Sequence, residues 1–135
     1  MKIRHKIKKD HIFFAIFLIS LLSSLILTMD NPAFCEAGEG CDKVQNSEYA
    51  YTFGLKNNVY GVVVFSFLAI LTVLNLMKPS KDKTNIISIG MILGGLVAIY
   101  FLYLQEFVIG SFCKYCMIMD ISLIIGLIVL FYMKR

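Results

Sequence analysis

Charge is what this chain has least of: charged residues make up 16% against 59% hydrophobic, with a mean hydropathy of +0.77. That balance leaves too little polar surface to cover a water-soluble core, so a soluble globular domain is excluded. Histidine is nearly absent. His5 and His11 both precede the first apolar run, so neither could hold a haem between apolar helices. A glycine-rich dinucleotide fingerprint is also missing, which removes a Rossmann-type nucleotide site. The net charge of +4 does not point to nucleic acid, because the basic residues gather at the ends of apolar runs with no aromatic or groove-lining pattern among them. Cysteine is sparse but even. The four fall into two close pairs, Cys35 with Cys41 and Cys113 with Cys116, none at the centre of an apolar run. Such usage points to redox chemistry in a compartment that permits disulfides, with a zinc site as the competing reading.

What is present is four apolar runs. Each run is close to the roughly 20 residues that a helix needs to span the hydrocarbon. The expected fold is all-α: a polytopic membrane protein, one domain over residues 1–135, in a four-transmembrane-helix bundle with helices at about 12–29, 59–77, 86–107 and 112–133. The first run follows a basic stretch as a secretory signal would. However, it has the length of a full span, and Asp30-Asn31-Pro32-Ala33-Phe34 offers no small-x-small cleavage site. A long loop, Asp30 to Asn58, joins the first two helices and carries Cys35, Cys41 and five acids against two lysines. Within it, Asp42 to Phe53 mixes apolar and polar residues in a way that predicts a short helix lying on the bilayer surface. Gly38 and Gly40 allow a tight turn that could bring Cys35 to Cys41. In the third run, Gly90 and Gly94 have the small-x-x-x-small spacing of close helix packing.

Ten of the thirteen Lys and Arg residues lie at the N-terminus, in the turn from Lys78 to Lys83, and at the C-terminus. The positive-inside rule puts these on the cytoplasmic side and all four cysteines on the extracytoplasmic side. Cys113-Lys114-Tyr115-Cys116 then opens the last helix, where the first thiol meets unpaired backbone N–H groups and the positive end of the helix dipole, an arrangement that favours a thiolate. By itself the spacing also suits a structural disulfide or half of a metal site. Two pairs on one face, however, form a possible relay: a loop pair exchanging with an outside thiol protein and a fixed pair at the helix mouth. With haem and nucleotide excluded, the natural electron acceptor is a lipid-soluble quinone. Asp120 shares a face with the helix-mouth pair, since Cys113, Cys116 and Asp120 fall within an arc of about 60° on a helix. An acid at that depth costs roughly 2.5–3.5 kcal/mol in lipid, so this face turns to the bundle interior. There Asp120 could donate a hydrogen bond or a proton to a quinone oxygen. The alternative is a packing acid satisfied by a hydroxyl or by water.

Cys35 and Cys41 in the first loop, then Val44, Ser47, Tyr49, Ala50 and Gly54, then Asn57-Asn58-Val59-Tyr60-Gly61, and finally Cys113-x-x-Cys116 make up an ordered set. In that order the chain resembles the vitamin K epoxide reductase family over nearly its whole length. The DsbB family also has four helices, but it places its Cys-x-x-Cys in the first loop. The resemblance implies Cys113 and Cys116 as the active-site pair and Cys35 and Cys41 as the shuttle. Cys41 would exchange with Cys113, Cys35 with the partner, and Cys116 would stand nearest the quinone. Ser47 would assist the exchange, and Asn57 would hydrogen-bond a quinone oxygen. The quinone is of menaquinone, ubiquinone or phylloquinone type, and the partner is a thioredoxin-like (DsbA-like) dithiol protein. Vertebrate members carry tyrosine where Asp120 stands, so the second quinone contact is chemically different here. The expected activity is a thiol:quinone oxidoreductase of the plasma membrane supporting disulfide formation. Its rivals are a non-enzymatic membrane protein braced by two disulfides and a metal-binding protein using thiolates.

Overall fold

The computed structural model describes residues 2–29, 48, 51–110 and 113–134. Four helices in this set are long and apolar enough to cross a membrane: α1 (Lys2–Thr28), α2 (Asn57–Met77), α3 (Lys81–Tyr103) and α4 (Lys114–Lys134). α1 begins at Lys2, before the apolar run, because the basic stretch contains good helix formers and neither glycine nor proline to stop it. α3 likewise starts ahead of its apolar run. Ser80 is extended, at ψ 147, and its hydroxyl accepts the Lys83 N–H at 3.4 Å, capping a first turn that also holds Asp82. α3 does not stop at Tyr103. It continues as a π-helical turn, Leu104–Ile109, which ends where Gly110 takes φ 72.

Between α1 and α2 lies a small antiparallel hairpin, β1 (Tyr51–Thr52) and β2 (Leu55–Lys56), with Tyr51 opposite Lys56 and Thr52 opposite Leu55. Its two-residue loop is Phe53-Gly54, both at positive φ (53 and 83), as a type I′ turn requires. The expected surface helix over Asp42 to Phe53 is therefore replaced by strand and turn at 51–53, because β-forming Tyr51 and Thr52 meet a turn that only the hairpin uses. Of the remainder of that segment, only Glu48 is among the described residues. The rest of the expected long loop lies outside them.

α1 packs on both α2 and α4, and α4 on α3, while the seam between α2 and α3 is the most sparsely packed of the four neighbouring pairs. The apolar core joins Phe13 and Phe17 of α1, Leu68 of α2, Met91 of α3 and Leu123 of α4. Gly90 permits α3 to approach α2 here, since a Cβ on it would meet Leu68 Cδ2 at 2.8 Å. The outward faces are apolar too. Phe67, Ile70, Ile89, Leu96, Ile125 and Ile128 are all exposed, a pattern that suits lipid rather than water.

At the end that carries the α2–α3 turn, polar groups are buried and mutually satisfied. Asn75 Nδ2 donates to Asp10 Oδ2 at 3.0 Å and to Thr84 Oγ1 at 3.3 Å, while Asn75 Oδ1 accepts the Ser80 N–H at 3.1 Å. One fully buried carboxamide thus ties α1, α2, the turn and α3 together.

Candidate functional site

The opposite end of the bundle holds the chemistry. Cys113 immediately precedes α4 and occupies its N-cap: its carbonyl accepts the Met117 N–H at 2.8 Å, and its Sγ accepts the Cys116 N–H at 3.3 Å. Cys113 is fully buried, against Leu27 of α1 and Ile109 of the π turn, while Cys116 is half-buried one turn along. Asp120, one turn further, is 2% exposed. The helical spacing of these three residues thus turns them inward.

Asp120 is held by Gln105. The carboxamide Nε2 donates to Asp120 Oδ2 at 3.2 Å and to the Phe101 carbonyl at 3.4 Å, and Oε1 accepts the Cys113 N–H at 3.0 Å. Gln105 reaches both because the π turn places it there, facing the mouth of α4. It too is 2% exposed.

Cys116, Asp120 and Gln105 line a cavity of about 640 Å³, which is bordered by Asn57, Asn58, Gly61 and Phe65 of α2 and by Thr52 and Phe53 of the hairpin. Apart from Ser24 and Tyr60, the remaining walls are apolar, including Leu93, Gly94 and Val97 of α3 along the loose α2–α3 seam. Thr52 Oγ1 donates to Asn57 Oδ1 at 2.6 Å, and Tyr60 OH donates to the Thr52 carbonyl at 2.9 Å, so the hairpin is fastened to the first turn of α2. Asn58 differs from Asn57. It is 6% exposed, and neither its Oδ1 nor its Nδ2 has a partner among the described residues. A buried amide without partners beside a cavity is costly in the protein alone and suits a ligand that carries oxygen. The volume falls in the range of small-molecule sites, which are typically apolar with a few placed polar groups. A quinone head group, flat and apolar with carbonyl oxygens at opposite edges, fits this donor set.

A sequence profile of the vitamin K epoxide reductase family matches residues 11–131. The chain belongs to the vitamin K epoxide reductase family. No curated protein matches it. Membership in the vitamin K epoxide reductase family implies an oxidoreductase, and the four apolar helices fit a multi-pass membrane protein.

Of the site residues expected from the sequence, Cys116, Asp120 and Asn57 come together around one cavity, with Cys113 buried directly behind Cys116. Cys35, Cys41 and Ser47 lie outside the described residues. Two residues escaped the sequence reading. Gln105 lies in an apolar run where an amide is out of place, and that was its only signal. Asn58 was passed over in favour of its neighbour, although either amide could face inward at the start of a helix.

Proposed function

We propose that this family member oxidises an extracytoplasmic thioredoxin-like dithiol protein and reduces a membrane quinone, supporting disulfide formation. Overall, two electrons and two protons leave the partner's dithiol, which becomes a disulfide, and the quinone becomes a quinol. The observation that carries the reading is that Cys116, Asp120 and the unpartnered Asn58 border a single apolar cavity.

On this reading the partner's thiolate attacks the Cys35–Cys41 disulfide and leaves as its own disulfide. Cys41 then attacks Cys113 of the Cys113–Cys116 disulfide and releases Cys116 as a thiolate; Cys35 attacks Cys41 of the resulting mixed disulfide and releases Cys113, so the loop disulfide re-forms and the helix-mouth pair holds both electrons, with Ser47 assisting the exchange. The quinone supplies the two-electron acceptor. Cys116 lines the cavity that would hold it, where Asn57 and Asn58 would offer amides to its oxygens and Asp120 would offer a carboxyl group. The apolar walls exclude water, and the seam beside Leu93 and Val97 gives a polyprenyl tail a way to the lipid. Lys and Arg at the N-terminus, the α2–α3 turn and the C-terminus orient both termini to the cytoplasm, leaving the cysteine end outside the plasma membrane.

The test mixes purified protein with menaquinone or ubiquinone and a reduced thioredoxin-like protein, and follows quinone absorbance. Turnover is expected in the wild type and at background in Cys116→Ala. Quinone loss that persists in a protein lacking all four cysteines would refute the mechanism. Cysteine pairs that stay inert toward the dithiol partner would favour structural disulfides instead.

A further inference from the structure

The Gln105 carboxamide touches both the helix-mouth backbone and the buried acid, and its orientation is forced. The Cys113 N–H can only donate, so the carboxamide atom 3.0 Å from it must be the oxygen. The Phe101 carbonyl can only accept, so the atom 3.4 Å from it must be the nitrogen. Two backbone groups of opposite character therefore fix the amide in one sense. The same nitrogen lies 3.2 Å from Asp120 Oδ2, which makes that oxygen an acceptor.

From this we infer that Gln105 is a positioning residue: in a buried site where an isolated charge is costly, it engages Oδ2 of Asp120 as an acceptor and so assigns the neutral acid's proton to Oδ1, the oxygen it does not engage, on a residue that lines the cavity. The chain runs from backbone to amide to carboxyl, and each link is set by the one before it. Reversing the amide would set N–H against N–H at Cys113 and carbonyl against carbonyl at Phe101, so both ends resist the flip. Asp120 is thereby held as a donor toward the cavity rather than one whose proton is spent on the protein. Leucine at position 105 would leave Oδ2 without its donor and the proton able to sit on either oxygen. The inference deepens the proposed function and rests on its quinone only for the identity of the oxygen that receives the hydrogen bond.

Infrared spectroscopy of the full chain in lipid nanodiscs tests it. A protonated carboxyl band that disappears in Asp120→Asn identifies the acid. In Gln105→Leu that band is expected at higher frequency, because its C=O has lost a donor, and quinone turnover is expected to fall about tenfold with KM for the dithiol partner unchanged. Gln105→Met keeps the side chain's length and gives the same reading if leucine does not pack. Absence of an Asp120 carboxyl band, or a band that stays in place in both variants, would overturn the inference. A band that moves in a wild-type background that reduces no quinone would refute the proposed acceptor and leave the proton's placement standing. Turnover with an unmoved band would do the reverse.

Discussion

Replacing Asn58 with leucine should make the protein more stable and less able to hold its quinone. The side chain is 6% exposed, and neither amide atom has a partner among the described residues, so folding removes both from water with no return. A buried polar group left unsatisfied costs about 1–3 kcal/mol, and leucine, close in size, removes that cost and adds apolar contact with the cavity wall. Asn58→Leu is therefore expected to raise stability by about 1–3 kcal/mol, read as a higher midpoint of thermal unfolding in detergent without added quinone. On the proposed function the same change also removes a hydrogen bond to a ring oxygen worth about 1 kcal/mol, so KM for a short-tailed quinone should rise about fivefold while KM for the dithiol partner stays put. The two signs together are the test. A residue with a merely structural role would lose stability on substitution. A fall in the unfolding midpoint, or an unchanged quinone KM, would refute the reasoning that Asn58 is kept polar for a ligand.

At the other end of the bundle, Asn75→Leu removes the amide that serves Asp10, Thr84 and the Ser80 N–H, and should cost about 2–4 kcal/mol in chemical denaturation. Gly61→Ala should destabilise by about 1–3 kcal/mol, because its Cβ would lie 2.6 Å from Ser24 Oγ; adding Ser24→Ala should recover part of that loss in a double-mutant cycle. Thr52→Val leaves Asn57 Oδ1 without the Thr52 hydroxyl, and should speed proteolytic cleavage of the 51–56 hairpin with little change in global stability.

Four apolar runs and the inward face shared by Cys116 and Asp120 were legible in the sequence, because lipid imposes length on a span and burial on a charge. Helix ends were less so. Hydropathy marks where a helix is apolar, whereas α1 and α3 continue into polar sequence for reasons of propensity and capping at Lys2 and Ser80. The end of the expected surface helix, 51–53, is strand and turn instead, because the apolar spacing of Tyr51 and Phe53 is shared by both structures. The stronger signal was local, in two β-forming residues before a glycine. Gln105 and Asn58 were not legible as site residues, since an amide carries no charge to announce it. Only burial and the partners it has or lacks separate Gln105 from a surface glutamine, and Asn58 from Asn57.

The tie around Asn75 fixes one tip of α2 to α1, the turn and α3. α2 is 21 residues long and pinned by polar bonds near one tip, so a tilt of about 5° there swings the other tip by about 3 Å. Such a swing would part the sparsely packed seam with α3, and α1, against which α2 packs most extensively, would have to follow it. Displacement of α2 is therefore least costly at the cysteine end, where the hairpin bonds of Asn57 and Tyr60 would move with it.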